Sequence, residues 1–393
     1  MTPAPAPALP RTVLALGLVS LLMDLSSETI HALLPLFMVN ALGLSMIAVG
    51  LLDGAAEALT LAIKPWAGKL SDHWQRRKPL ALAGYGLSAL AKPLFALAGG
   101  ITLVASARFL DRLGKGIRGA PRDALIADVT PPDQRGAAYG LRQALDTVGA
   151  LLAPLLAAGL LWWLAGDYRA VFWLASLPAF AAVLLLWFAV QEPREHVHKP
   201  VAKTNVQHGA FPRAFWLVIG LAVLLTLARP GEAFLILRGQ SLGLNEYQSA
   251  LLLAAMNLSY ALSVWPVGRR FDRIGAPRLL GLSLLWLLAS QLCLALSSSG
   301  VLAFLAALLW GLHLGFSQGV LAALIAQHAP ATRRGAAFGW YALAVGLALL
   351  LNGSVFGALW QQFSPATAFT CTSVLAGICL LFSGWRQWQN GRH

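Results

Sequence analysis

The stretch VLALGLVSLLMDLSSETIHALLPLFMV, residues 13–39, is apolar along almost its whole length but contains Asp24, Glu28 and His31. Their spacing places all three side chains on one stripe of a helix. A run of this length can cross a bilayer, and a charge at the bilayer centre costs about 2.5–3.5 kcal/mol on insertion scales. Such side chains face a water-filled cavity or a partner group. The pattern therefore indicates a protein that carries polar solutes or protons across a membrane.

The composition of the whole chain is that of a membrane protein. Of its 393 residues, 58% are hydrophobic and only 11% are charged, whereas soluble domains are about 25% charged. The apolar runs are continuous and lack the two-residue alternation of a membrane barrel, so they predict helices. Twelve spans are predicted, at residues 13–39, 46–66, 79–98, 101–124, 137–163, 170–190, 213–237, 246–267, 279–298, 300–326, 336–358 and 366–385.

The net charge of +13 is distributed unevenly between the two ends of the predicted spans. The basic residues cluster after even-numbered spans, at Lys69, Arg76, Arg77, Lys78, Arg135, Arg194, Lys199, Lys203, Arg269, Arg270, Arg273, Arg278, Arg333 and Arg334. This positive-inside pattern argues against nucleic acid as a partner and places both termini in the cytoplasm. We expect an integral protein of the plasma (bacterial inner) membrane. Arg169 and Arg238 are exceptions on the opposite side.

Other sequence features exclude several kinds of site. The first apolar run is long and acidic, without a cleavage pattern, so we interpret it as a retained span. Cys293, Cys371 and Cys379 lie within predicted spans, and their spacing fits neither a disulfide framework nor a metal site. The segment Gly114-Lys-Gly116 lacks the leading glycine and Ser/Thr of a P-loop. We therefore expect no cofactor, no bound metal and no direct use of ATP.

The chain repeats itself with an offset of about 200 residues. Gly68-Lys-Leu-Ser-Asp72 recurs as Gly268-Arg-Arg-Phe-Asp272, Leu42-Gly-Leu-Ser45 recurs as Leu242-Gly-Leu-Asn245, and Arg135-Gly-Ala-Ala-Tyr-Gly140 recurs as Arg334-Gly-Ala-Ala-Phe-Gly339. Six crossings return a chain to its starting side, so the two halves have parallel orientation. We assign residues 1–190 to an N-terminal six-helix half, 191–212 to a polar, proline-containing cytoplasmic linker and 213–393 to a C-terminal six-helix half.

These repeated motifs resemble those of the major facilitator superfamily, and the resemblance covers nearly the whole chain. The loop from Gly68 to Lys78 is similar to the family signature between helices 2 and 3, with His73 for the usual basic residue and Gln75 for the usual glycine. The second copy, Asp272-Arg-Ile-Gly275, keeps both. The run DRLGKGIRGAPRDALIAD, residues 111–128, is similar to the helix-4 motif of a bacterial subgroup. Helix 5 resembles the antiporter motif, with alanine replacing several glycines.

The resemblance implies an all-α membrane fold of twelve transmembrane helices. In that fold helices 1, 4, 7 and 10 line a central cavity, helices 2, 5, 8 and 11 form the interface between halves, and helices 3, 6, 9 and 12 face lipid. The charges sort in the same way, because the four outer spans contain one charge, Lys92. The resemblance also implies a conformational latch, formed by Gly68, Asp72, Arg76, Arg77, Gly268, Asp272 and Arg273.

Charged and histidine side chains on the inner spans are the candidate site. Span 4 carries a net basic stripe within an arc of about 120°, which favours a substrate with an anionic group such as a carboxylate or a metal chelate. The candidate substrate-binding residues are Arg108, Arg112, Lys115, His31, Glu232 and His313. The candidate proton-coupling residues are Asp24, Glu28, Asp53 and Glu57. The alternative is structural pairing, for example of Asp111 with Lys115 and of Arg142 with Asp146.

These features predict a secondary active transporter that moves a small organic solute by alternating access, with protons as the driving ion. A second interpretation is proton-antiport export of drug-like amphiphiles, which the helix-5 motif and the 14 Trp and 17 Phe residues favour. A membrane-embedded sensor or enzyme is a third class. Gly315-Phe-Ser-Gln-Gly319 fits the G-x-S-x-G pattern but lies in an apolar helix, so we expect no catalytic residue. The expected partners are lipid, a small-molecule substrate and protons, and we expect a monomer.

Overall fold

The computed structural model of the protein describes residues 9–74, 76–192, 211–330 and 333–390, without the side chains of Asp272 and of residues 382–390. All regular secondary structure in these ranges is helical. The helices are α1 (Arg11–Leu36, continued by a π-helical turn at Phe37–Ala41), α2 (Met46–Trp74), α3 (Arg77–Leu97), α4 (Ile101–Val129), α5 (Arg135–Trp163), α6 (Tyr168–Ala189), α7a (Arg213–Leu227), α7b (Glu232–Ser241), α8 (Glu246–Ile274), α9 (Ala276–Leu296), α10 (Gly300–His328), α11 (Arg334–Gln362) and α12 (Pro365–Asn390).

The twelve spans predicted from the apolar runs are confirmed, with α7a and α7b together forming the seventh. Judged by length and composition alone, ten of them are long and apolar enough to cross a membrane. The others are α4, which carries the basic stripe, and α12, whose apolar part Pro365–Leu381 is short. Most helices continue past the predicted bounds on the side where basic residues cluster, because polar residues there still form regular helical turns.

The seventh span was predicted as one continuous helix, residues 213–237, but the structure divides it into two helices. It breaks between Leu227 and Glu232, where Pro230 lacks an amide hydrogen and Gly231 is flexible. The carbonyl groups that the break leaves free are satisfied by buried amides. Asn352 of α11 donates to the carbonyls of Thr226 and Leu227, at 3.3 and 2.6 Å. Gln291 of α9 donates to the carbonyl of Ala228 at 2.5 Å, so the break is a fixed part of the fold.

The sequence repeat is also a structural repeat. Helices α2 and α8 both have 29 residues, and α3 and α9 both have 21. Helices α4 and α10 both have 29, as do α5 and α11. The loops before α2 and α8 both turn on a glycine with positive φ, Gly43 at 64° and Gly243 at 91°, a conformation that only glycine adopts without strain. The fold therefore consists of two parallel six-helix halves.

The two halves meet through α2 with α11 and through α5 with α8. We call the side that bears Gly43 and Gly243 the outer face, and the opposite side, which bears Asp72 and Arg135, the inner face. Near the outer face a Cβ on Gly50 would lie 2.0 Å from the carbonyl oxygen of Gly353. The backbones of α2 and α11 are thus in direct contact, as small residues allow.

Hydrogen bonds add to this outer closure. Asn40 donates to Glu246 at 2.8 Å across the outer face. Deeper in the interface Pro154 provides no amide hydrogen for the carbonyl of Ala150, and Asn257 of α8 donates to that carbonyl instead, at 2.8 Å. Among the described residues no hydrogen bond or ion pair joins the halves closer to the inner face than this one. The halves are therefore held together at the outer face.

Arg169 and Arg238, the two exceptions to the charge pattern, have matching structural roles. Arg169 donates to the carbonyls of Ala96 and Ala98 at the end of α3, at 3.3 and 2.8 Å. Arg238 donates to the carbonyls of Leu294 and Ser297 at the end of α9, at 2.8 and 3.2 Å. Each arginine satisfies carbonyl groups that a helix C-terminus leaves free. The predicted linker, 191–212, lies almost wholly outside the described residues.

Candidate functional site

A polar cavity of about 480 Å³ lies between the two halves, on the inner side of the outer closure. A volume of this size is in the range of small-molecule sites. Its walls combine charged residues of the N-terminal half with a smaller number of polar residues of the C-terminal half. The lining residues are Asp24, Glu28, His31, Asp53, Glu57, Arg112, Lys115, Gln143, Asp146, Thr147, Ala150, Arg229, Pro230, Gly231, Glu232, Asn257, Tyr260, Gln318 and Leu349.

The basic stripe of α4 forms one wall, and its cations are paired with the predicted proton-coupling carboxylates. α4 is a regular helix through Pro121, so residues three and four apart point in one direction. The pairs are Arg108 with Asp53 at 2.5 Å, Arg112 with Glu57 at 3.0 Å, Lys115 with Glu28 at 3.6 Å and Arg118 with Asp24 at 3.5 Å. Each of these eight groups thus has a counter-charge, which offsets the cost of its burial.

His31 connects this wall to the C-terminal half. Arg108 donates to Nδ1 of His31 at 3.0 Å, which leaves Nε2 of the imidazole facing Glu232 at 3.6 Å. In the described part of the chain this is the one contact within 4 Å between a basic side chain and a carboxylate that joins the halves. His31, Arg108 and Asp53 also border an enclosed cavity of about 10 Å³ on the outer side, which has room for about one water molecule.

A second charged cluster lies toward the inner face. Arg142 and Asp146, one helical turn apart on α5, form a short ion pair. Structural pairing of these two residues was the alternative predicted from the sequence. Arg122 lies 3.0 Å from Asp123 and 3.9 Å from Asp146, and it also donates to Ser20 at 2.9 Å. Asp146 lines the cavity, so this cluster extends the charged wall toward the inner face.

Lys92, the one charge predicted on an outer span, turns away from lipid. Its ammonium group lies 2.7 Å from Asp111 and 2.8 Å from Ser27, and its side chain is 1% exposed. Asp111 therefore pairs with Lys92, and the predicted pairing of Asp111 with Lys115 is wrong. Lys115 does not contact Asp111. Its side chain is 37% exposed and lies 3.6 Å from Glu28.

The candidate residues of the C-terminal half are divided between the cavity and the interior. Glu232 lines the cavity. His313 does not: it is 2% exposed, and its Nδ1 lies 2.7 Å from the hydroxyl of Ser283. In the described part of the chain no group of three or more His, Cys, Asp or Glu side chains could hold a metal ion.

Several cavity residues were not among the candidate site residues predicted from the sequence, above all Arg229, although it is one of the charges of span 7. It belongs to the Arg229-Pro-Gly231 segment that interrupts span 7, and Pro/Gly interruption of a span is the signal that could have identified it. The neutral residues Asn257, Tyr260 and Gln318 carry no such signal, because single polar residues within long helices have no distinguishing spacing.

The first latch loop makes its described contacts within the N-terminal half. Arg77 lies 2.7 Å from Asp72 and 3.4 Å from Asp128 at the end of α4. The backbone amide of Arg77 also has a short contact with the Glu192 carboxylate. Arg76 and Arg273 are exposed, a Cβ on Gly68 would contact only Ala120, and Gly268 is surrounded by open space. The side chain of Asp272 lies outside the described residues.

A charged cavity between two parallel six-helix halves, closed at one face, defines a membrane transporter. The chain matches the family model of the Major Facilitator Superfamily over residues 16–237 and 214–390, and it belongs to that family. It is therefore an integral membrane protein whose family transports small molecules.

Relatives and solved structures agree with this assignment. An uncharacterized protein of Mycobacterium tuberculosis is 29% identical over 359 residues, 89% of this chain and 87% of the relative. An uncharacterized MFS-type transporter of Methanocaldococcus jannaschii is 28% identical over 95% of both chains. The multidrug resistance protein MdtL of Shigella dysenteriae is 26% identical over 81% of this chain and 79% of the relative.

The solved structures share the fold at low sequence identity. The nucleoside transporter NupG (D323A mutant) matches with a TM-score of 0.79 at 12% identity, over 95% of this chain and 98% of that one. A POT family transporter in complex with 5-aminolevulinic acid matches with a TM-score of 0.80 at 14% identity, over 95% of both chains. These matches show the architecture.

Proposed function

We propose that the protein is a proton-coupled secondary transporter that moves a small polar organic solute by alternating access. The observation that carries this proposal is the row of four cation–carboxylate pairs along the wall of the cavity. A carboxylate at a wet cavity can take up a proton when its cation moves away. The outer closure and the cavity on its inner side are the arrangement that one of the two alternating states requires.

Asp24 and Glu28 are the preferred proton carriers. Their contacts with Arg118 and Lys115, at 3.5 and 3.6 Å, are longer than the 2.5 Å contact of Asp53 with Arg108. A longer contact is easier to separate, and both carboxylates line the cavity. Glu57 and Asp53 follow in that order.

The remaining candidates have supporting roles in this proposal. Arg112 and Lys115 line the cavity and are the counter-charges of Glu57 and Glu28. His31 and Glu232 join the halves at the outer end of the cavity, so their separation accompanies outer opening. Asp72 and Arg77 belong to the latch, which acts when the inner face closes. We further propose a bacterial inner-membrane location with both termini in the cytoplasm, on the basis of the loop charges.

The test is proton movement driven by a solute. Proteoliposomes loaded with a pH-sensitive dye are exposed to a panel of organic acids, amino acids, sugars and nucleosides. At least one solute should move protons through the wild-type protein. Asp24→Asn or Glu28→Gln should then abolish gradient-driven accumulation but retain solute exchange, because exchange moves no net protons. Asp133→Asn, an exposed loop carboxylate without an ion pair in the described residues, is the matched control.

Wild-type accumulation in the Asp24→Asn, Glu28→Gln, Asp53→Asn and Glu57→Gln variants would contradict proton coupling through these residues. A loss of folded protein in all four, with no specific transport defect, would show that the pairs are structural.

A second candidate is export of drug-like amphiphiles by proton antiport. Its support is the similarity to the Shigella dysenteriae protein and to a multidrug resistance protein, MdtH, of Proteus mirabilis, which is 28% identical over 169 residues, 43% of this chain and 41% of that relative. Ethidium or benzalkonium in the same assay separates the two proposals. Proton movement with these cations, and with none of the polar solutes, favours export.

A further inference from the structure

Arg229 occupies a fixed position at the edge of the cavity. It follows α7a directly, and the carbonyl groups of Leu227 and Ala228 next to it are held by Asn352 and Gln291. Both amides are buried, at 6% and 0% exposure. The segment is thus anchored from two neighbouring helices, and its arginine side chain is positioned by the fold.

The guanidinium group of Arg229 has no direct ion-pair partner among the described residues. Every cavity carboxylate of the N-terminal half has a cation within 4 Å, and Glu232 has His31 at 3.6 Å. By contrast, the Arg229 side chain makes no hydrogen bond or ion pair with any residue that the structure describes. An unpaired cation at membrane depth is costly, and such groups mark substrate or ion pathways.

The neighbouring positive feature, the N-terminus of α7b, is already faced by a carboxylate. Oδ2 of Asp53 lies 3.0 Å from the place that a Cβ on Gly231 would take. The dipole of α7b therefore has an anion beside it, whereas Arg229 forms no ion pair within 4 Å with any described carboxylate. Of the three described cations that line the cavity, Arg112 and Lys115 are paired with carboxylates and Arg229 is not.

We propose that Arg229 binds the anionic group of the transported solute, which is then a small organic oxyanion. This inference rests on the proposed transport function. A guanidinium group offers two parallel donors and suits a carboxylate or phosphonate. Asn257, Tyr260 and Gln318 line the same cavity with neutral hydrogen-bonding groups, which favours further hydroxyl or amide groups on the solute. The anion site thus lies on the C-terminal half, opposite the basic stripe of α4.

The first experiment measures the reactivity of Arg229 in the full chain. Proteoliposomes are treated with p-hydroxyphenylglyoxal, which modifies accessible guanidinium groups, and the modified sites are quantified by mass spectrometry. Arg229 should react about tenfold faster than Arg238, a control in the same span whose donors are held by carbonyls and which is 7% exposed. Benzoate, succinate, citrate and methylphosphonate serve as anionic probes, and benzyltrimethylammonium serves as the cationic probe.

At least one anionic probe should slow the modification of Arg229 several-fold, without changing that of Arg238. The same probe should raise the melting temperature of the wild-type protein and of Arg229→Lys, which keeps the charge, but not that of Arg229→Gln. Protection by benzyltrimethylammonium alone, or by no probe, would overturn the inference. A merely structural arginine would change the melting temperature of the free protein and leave the shift on adding the anion unaltered.

The outcomes also separate this inference from the transport function. Proton-coupled movement of an organic anion by Arg229→Gln at the wild-type rate would refute the anion site and leave the transporter intact. Anion protection of Arg229 in a protein that moves no protons with any solute would support the site and refute proton coupling.

Discussion

The two halves of the molecule have matching helices but differ in the number of ion pairs that they contain. Every ion pair in the described residues, apart from the His31–Glu232 contact between halves, lies within the N-terminal half. At the repeat offset of 199 or 200 residues the C-terminal half has neutral side chains in place of several of these charges, although Asp72 corresponds to Asp272. The corresponding pairs are Glu57 and Asn257, Lys92 and Gln291, Asp111 and Trp310, and Arg118 and Ser317.

This difference shows which features the fold requires. Helices of equal length, the positive-φ glycines and the arginine caps occur in both halves, so they belong to the architecture. Among the described residues, the ion pairs within one half all lie in the N-terminal half. Since the C-terminal half folds without such pairs among its described residues, the ion pairs of the N-terminal half have a purpose other than packing, and the purpose proposed above is proton coupling.

The largest effect is expected at the buried pair Lys92–Asp111. Asp111→Asn leaves the Lys92 ammonium buried without a counter-charge, which should lower the free energy of unfolding by about 3–5 kcal/mol. The double variant Lys92→Met with Asp111→Leu should recover most of that loss, because it makes the site neutral, like its counterpart. The measurement is the melting temperature and folded yield of the purified protein.

The matched change in the other half is Gln291→Met, which deprives the carbonyl of Ala228 of its donor. We expect a smaller loss, about 1–3 kcal/mol. A double variant at Lys92 and Asp111 no more stable than Asp111→Asn would show that the pair is required in itself, against the comparison of the halves.

A large effect on transport is expected at the outer contact between the halves. Gly353→Ala places a Cβ 2.2 Å from the carbonyl oxygen of Gly50, so the outer face cannot close as it does here. Overpacking of this kind costs about 1–3 kcal/mol and should shift the equilibrium toward the outward-open state. Gly339→Ala, on the same helix but with open space around it, is the control. Uptake at the wild-type rate by Gly353→Ala, together with unaltered accessibility of a reporter cysteine placed at the outer face, would be inconsistent with this closure.

A moderate effect on stability is expected at the two arginine caps. Arg238→Met removes a buried cation from two carbonyls and should cost about 1.5–3 kcal/mol. Arg169→Met removes the same kind of contact from an exposed arginine, so its effect should be smaller. Thermal unfolding of both variants tests this order, and an equal or larger loss at Arg169 would contradict it.

The smallest effect is expected from cysteines that report orientation. Lys69→Cys and Arg269→Cys lie 200 residues apart at exposed positions near the inner ends of α2 and α8. In a background without the three native cysteines, both should stay active and react with an impermeant reagent only from the cytoplasmic side. Labelling of only one of them from outside intact cells would contradict the parallel orientation of the halves, and labelling of both would contradict the cytoplasmic placement of the inner face.

The sequence was sufficient for the architecture because the architecture depends on periodic features. Continuous apolar runs predicted the spans, and the repeat predicted the parallel halves. The pairing of charges was less predictable. Spacing on one helix predicted the Arg142–Asp146 contact correctly, but it assigned Asp111 to Lys115, because the position of Lys92 on another helix cannot be derived from spacing along α4.

The break of span 7 illustrates a different limit. Arg229-Pro-Gly231 contains the residues that interrupt helices, yet transmembrane helices tolerate proline where neighbouring groups satisfy the freed carbonyls. Asn352 and Gln291 determine the outcome here, and they lie more than 50 residues away in the chain. His313 illustrates another limit. Its residue type made it a candidate for substrate binding, but it lies in the interior beside Ser283.

The central claim is that the N-terminal half couples protons while Arg229 of the C-terminal half binds the solute. Its most direct test is one assay on two variants, Glu28→Gln and Arg229→Gln, reconstituted in proteoliposomes with the solute that moves protons through the wild type. Glu28→Gln should retain exchange and lose pH-driven accumulation, whereas Arg229→Gln should lose both. Wild-type accumulation by Glu28→Gln, or wild-type exchange by Arg229→Gln, would contradict this division between the halves.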